Sequence, residues 1–164
     1  MWQTVLLFQT GWLLLVLGHE SPLYLCAIVL ILCYLTVDLY KKKPSSYLAY
    51  FSPKLLMFSI GCITDWSLAK LQIIEFASNA SALPFWLLLL WVLFSITFEK
   101  CYSWLNGKLW LAAVLGSIFG PASYWAASKL SSVVIHMPVE FTVFSVVFWA
   151  VLFVTFLRKP RLDI

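Results

Sequence analysis

Residues 84–98 read Pro-Phe-Trp-Leu-Leu-Leu-Leu-Trp-Val-Leu-Phe-Ser-Ile-Thr-Phe, an uncharged run that continues past Glu99-Lys100 to Trp104. About 20 consecutive apolar residues carry an α-helix across the hydrocarbon of a bilayer, and residues 84–104 meet that length. The rest of the chain repeats the pattern. Of its 164 residues 63% are hydrophobic and 11% charged, against roughly 45–50% and 25% in soluble domains. Such a composition excludes a soluble globular domain, and leaves no length for an aqueous catalytic domain, a dinucleotide-binding fold or a nucleic-acid-binding module. Six spans of about 20 residues would use roughly 120 positions, leaving only ends and loops.

Working outward from this span, residues 72–83 form a loop with Glu75 and Asn79, and residues 47–71 a third span, the least hydrophobic of all. Lys41-Lys42-Lys43-Pro44-Ser45-Ser46, a charge run with a helix-stopping proline, must lie outside the hydrocarbon. Before it come a second span at 23–40, the break His19-Glu20-Ser21-Pro22, and a first span at 2–18 that lacks a signal-peptide cleavage pattern. On the other side, Leu105-Asn106-Gly107-Lys108 is a tight turn between antiparallel helices. Spans at 109–128 and 139–157 follow, separated by a loop with His136. The expected fold is all-α: one domain, residues 1–164, a polytopic bundle of six transmembrane helices. Placing both termini in the cytoplasm puts Lys41, Lys42, Lys43, Lys54, Lys100, Lys108, Arg158, Lys159 and Arg161 at cytoplasmic ends, with only Lys70 and Lys129 opposite. The positive-inside rule favours that orientation. It also accounts for the net charge of +4 without a nucleic-acid partner. Cys26, Cys33, Cys62 and Cys101 sit in apolar stretches without metal-ligand spacing, so packing is expected of all four, with no metal and no cofactor.

Ionisable groups inside a membrane are costly and mark function or polar packing. Folding the third and fourth spans as a hairpin about Ala77 sets Lys54 and Glu99 at similar heights near the cytoplasmic edge, an expected ion pair. Asp65 lies deeper, with Thr64 beside it and Gly61 one turn away. By the same reasoning Tyr124 stands at its height, and His19 and His136 in the outer loops are candidate neighbours. These five form a candidate polar site, read either as a hydrogen-bonded lock between helices or as a substrate or proton site. In the fifth span Ala112, Gly116 and Gly120 fall four apart, a small-residue ridge that lets another helix approach. Pro121 is expected to kink that helix.

Phe8-Gln9-Thr10-Gly11-Trp12 with Val16-Leu17-Gly18, then Gly61 with Asp65, then Pro84-Phe85-Trp86 with Leu90-Trp91 and Phe94, and Gly116 with Gly120-Pro121 and Tyr124 resemble the marks of a bacterial inner-membrane family, domain of unknown function 2878. The resemblance implies a compartment and a fold but no activity. It also suggests proximity to enzymes of membrane lipid modification. Hydrolase, metalloprotease and phosphate-loop signatures are absent from the sequence. The leading expectation is an accessory or scaffold protein with membrane lipids and a lipid-modifying enzyme as partners. Alternatives are a small transporter or substrate-capture subunit, its outer pocket covered by residues 72–83, and a lipid-modifying enzyme using Asp65 or Glu99 as acid or base.

Overall fold

A computed structural model describes residues 2–18, 21–76, 82–131 and 133–158. Six α-helices follow one another: α1 (Trp2–Leu17), α2 (Leu23–Lys42), α3 (Tyr47–Lys70), α4 (Phe85–Tyr102), α5 (Leu109–Leu130) and α6 (Pro138–Leu157). Four of them, α2, α4, α5 and α6, are long and apolar enough to cross a membrane. Helix α1 is apolar but has 16 residues, and α3 is long enough but diluted by Pro53, Lys54, Thr64, Asp65 and Lys70.

The connections follow from local chemistry. Helix α2 ends on Lys43, whose left-handed backbone (φ 39°) returns its N–H to the Leu39 carbonyl, and Ser46 then caps α3 by accepting from the Ala49 N–H at 3.3 Å. A 3₁₀ turn, Ser103–Leu105, closes α4. Asn106 (φ −55°, ψ 125°) and Gly107 (φ +81°) then make a type II turn closed by Lys108 N–H to Leu105 O at 2.8 Å. Helix α5 runs unbroken through Pro121.

Helix α4 is the central element, with Trp86, Leu87, Trp91, Leu93, Phe94, Phe98 and Cys101 all buried. It packs against α1, α2 and α3 through backbone approach. Against α6 it packs through rings: Trp91 stacks on Trp149 (5.7 Å, 9°), and Phe98 meets Phe153 edge-on at 5.2 Å. Helices α5 and α6 form the most extensive pair, because Ala112, Gly116 and Gly120 present almost no side chain between them. A Cβ on Gly120 would overlap the Trp149 indole.

Outward faces are apolar instead of polar. Leu25, Val29 and Leu32 on α2 and Val143, Val147 and Val151 on α6 are exposed at helical spacing. Soluble proteins rarely expose apolar stripes of this extent, and a lipid-facing helix surface requires them. The cysteines follow this surface: Cys101 is buried and Cys62 intermediate, while Cys26 and Cys33 face outward among the apolar side chains.

One feature departs from an all-helical chain. The loops after α3 and α5 pair as a short antiparallel ladder, β1 (Ile74–Glu75) with β2 (Val134–Ile135), in register Ile74 to Ile135 and Glu75 to Val134. Ile74, Phe76 and Val133 are buried beneath it. The bundle therefore has a ladder end and, opposite, a Lys-rich end.

Candidate functional site

Each end of the bundle holds a buried carboxylate. At the ladder end Asp65 of α3 is wholly buried. Its Oδ2 accepts the Trp91 indole N–H from α4 and its Oδ1 the Tyr124 hydroxyl from α5, both at 2.7 Å. A carboxylate in an apolar interior is costly unless its oxygens are satisfied, and here two neighbouring helices supply the donors. Gly61, one turn earlier on α3, admits Trp91, since a Cβ there would overlap the indole. Around the pair, Tyr124 meets Phe141 edge-on at 5.3 Å, and Trp91 carries the stack onto Trp149. One acid thus ties α3, α4 and α5 together, and ring stacking adds α6.

The structure brings Asp65 and Tyr124 together but not the other residues assigned to their site. Thr64 is partly buried and is not one of the donors to Asp65. His136 turns to Glu75 across the ladder, with Nε2 to Oε2 at 3.1 Å, because its backbone is fixed there by an N–H bond to the Ile73 carbonyl. His19 lies outside the described residues. The donor that sequence reasoning missed is Trp91. It lies close to the position mirroring Asp65 across the hairpin, so the signal was available.

At the Lys-rich end Asp38 of α2 is 2% exposed. It accepts the Tyr50 hydroxyl at 2.5 Å and an ion-paired hydrogen bond from Lys100, with the Lys42 ammonium at 3.9 Å. Lys42 also pairs with Glu99 at 3.0 Å. The expected Lys54–Glu99 pair is therefore corrected. Lys54 donates to the Tyr50 carbonyl at 3.0 Å and lies 3.8 Å from the centroid of that ring. Hairpin reflection gives height along the bundle and not direction around a helix: Glu99 projects outward beside α2, while Lys54 turns inward. Asp38 gives little signal in the sequence because a carboxylate beside three lysines reads as interfacial. Its spacing of four from Lys42 is the available hint.

Among the described residues no group of three or more His, Cys, Asp or Glu side chains is placed to hold a metal ion. Beside Asp65, between α3 and the start of α4, an open apolar groove of about 380 Å³ is lined by Cys62, Ile63, Trp66, Ala82, Leu83 and Leu88.

Residues 1–155 match the family described as protein of unknown function (DUF2878). The chain belongs to that family. No curated protein and no solved structure matches it. In this DUF2878 protein the marks that carried the resemblance converge. Gly61, Asp65, Trp91 and Tyr124 meet at one carboxylate, with Phe94 edge-on to Trp91 at 5.7 Å, and Gly116 and Gly120 set the approach of α5 to α6.

Proposed function

We propose that this DUF2878 protein is an integral protein of the bacterial inner membrane, with six crossings and both termini cytoplasmic. In this reading it serves as an accessory or scaffold protein for membrane lipid modification. The observation that carries the reading is the commitment of Asp65. A general acid or base must reach its substrate, whereas both oxygens of Asp65 are engaged by Trp91 and Tyr124 and its side chain is closed off. A carboxylate so held fastens helices to one another. The fixed bundle then offers its outer surface to others, and the apolar groove beside Trp66 and Leu88 suits an acyl chain. Membrane lipids are accordingly its ligand class, and a lipid-modifying enzyme its partner.

Purification from native membranes in mild detergent, with mass spectrometry of bound small molecules and proteins, tests this. Retained phospholipid that is depleted in Ala82→Phe, which fills the groove, supports the reading. A tightly held water-soluble vitamin would move it to substrate capture. Turnover of a lipid by the purified protein, lost in Asp65→Asn, would replace the scaffold with an enzyme.

A further inference from the structure

The Lys-rich end holds more cationic groups than it neutralises. Lys42, Lys54 and Lys100 face Asp38 and Glu99, and of the two acids only Asp38 is buried. Lys100 and Lys42 share these carboxylates. Lys54, itself nine-tenths buried, has no carboxylate within ion-pair distance among the described residues, and its ammonium is met by a carbonyl and a ring face. A buried ammonium held beyond ion-pair distance of its nearest carboxylates, Asp38 and Glu99, is a standing electrostatic cost, and an anion in direct contact would relieve it.

A second, independent observation comes from α2. Tyr34 of α2, one turn before Asp38, is 9% exposed, and its hydroxyl is buried with no hydrogen-bond partner. Buried hydroxyls are normally satisfied. The ring of Tyr34 lies under the Lys100 ammonium, 5.4 Å from its centroid. Lys100 is a flexible stem whose side chain is 37% exposed, so it can swing to share an incoming anion. An acceptor-rich anion presented here would meet two ammonium groups and a hydroxyl donor.

We propose that the ends of α2, α3 and α4 form a phosphate-binding site of Lys54, Lys100 and Tyr34, with Lys42 at its rim, taking a phosphate borne by an anionic phospholipid headgroup or free in solution. Basic pockets between membrane helices commonly hold such headgroups. The site does not depend on the scaffold reading. It requires only these side chains.

The test uses the full chain in nanodiscs of phosphatidylglycerol mixed with digalactosyldiacylglycerol, a bilayer lipid without phosphate, with native mass spectrometry of the lipids that stay bound. The unchanged protein and Lys108→Gln, an equal charge change outside the cluster, should retain phosphatidylglycerol preferentially. Tyr34→Phe and Lys54→Gln should each weaken that preference about tenfold, the effect of one hydrogen bond to a charged group. Inorganic phosphate titrated into digalactosyldiacylglycerol nanodiscs, which hold no lipid phosphate, separates the two sources. A rise in unfolding temperature that Tyr34→Phe abolishes assigns free phosphate, and protection by phosphatidylglycerol alone assigns the headgroup. Tyr34→Phe keeps the buried ring, so it decides the matter even where Lys54→Gln fails to fold. Equal preference in the unchanged protein and Tyr34→Phe, or no response to either phosphate source, overturns the site.

Discussion

Asp65 and Asp38 are both buried acids, and they are held in opposite ways: Asp65 by two neutral donors, Asp38 by a tyrosine and lysine ammonium groups. The difference makes Asp65 testable by shape. In Asp65→Asn the amide oxygen still accepts from Trp91, and the amide N–H can donate to a Tyr124 hydroxyl that reverses its role. This variant should lose less than about 1 kcal/mol of stability. Asp65→Leu fills the space and orphans both donors, for a loss of about 2–4 kcal/mol. Thermal unfolding of the detergent-solubilised variants should show that order, and equal midpoints would show that the two hydrogen bonds carry no stability. At this scale the sequence discloses the acid better than its partners. A carboxylate inside an apolar span stands out by its cost, whereas Trp91 is one of nine tryptophans and reads as packing. Asp38 is hidden by the lysines beside it.

Helix positions and turns are legible because length, proline and charge runs dictate them. The ladder is not. Ile74-Glu75 and Val134-Ile135 are two residues each, too short for any alternation to register, and their pairing depends on α3 and α5 ending side by side. Rotation about each helix axis is likewise set by packing, as the divergence of Lys54 from Glu99 shows. Glycine substitutions separate the two reasons for a small residue within elements. Gly120→Ala drives a methyl into the Trp149 indole and must part α5 from α6, an overpacking cost of about 1–3 kcal/mol. Gly107 has nothing within 4 Å of a would-be Cβ, but its φ is +81°. Gly107→Ala should cost only the backbone strain of the turn, about 1 kcal/mol. Denaturation of the two variants in one detergent should place Gly120→Ala lower, and Gly120→Ala should also shift tryptophan fluorescence while Gly107→Ala leaves it unchanged.

At the scale of the whole molecule, α1 and α3 can be set against the four apolar helices. Helix α3 touches α2 through Tyr50 and Asp38 at the Lys-rich end and α4 through Asp65 and Trp91 at the other. It therefore runs the length of α4, and if α4 crosses, α3 crosses with it, its polar side chains turned to its neighbours. Helix α1 has 16 residues, about 24 Å at 1.5 Å per residue, short of a bilayer core of about 30 Å. Gly11 sets it close against Leu93 of α4, and under the proposed topology a helix so held would be accommodated by local thinning of the bilayer or by tilt of its neighbours. Under the proposed six crossings, the nine-to-two distribution of basic residues predicts cytoplasmic termini. Reporter fusions after Ser45 and after Asn79 bracket α3. A cytoplasmic reporter should be active at the first and a periplasmic reporter at the second. The same side for both would mean that α3 does not cross, and an exchange of sides would invert the whole bundle, placing the Asp38 cluster outside and the Asp65 lock within.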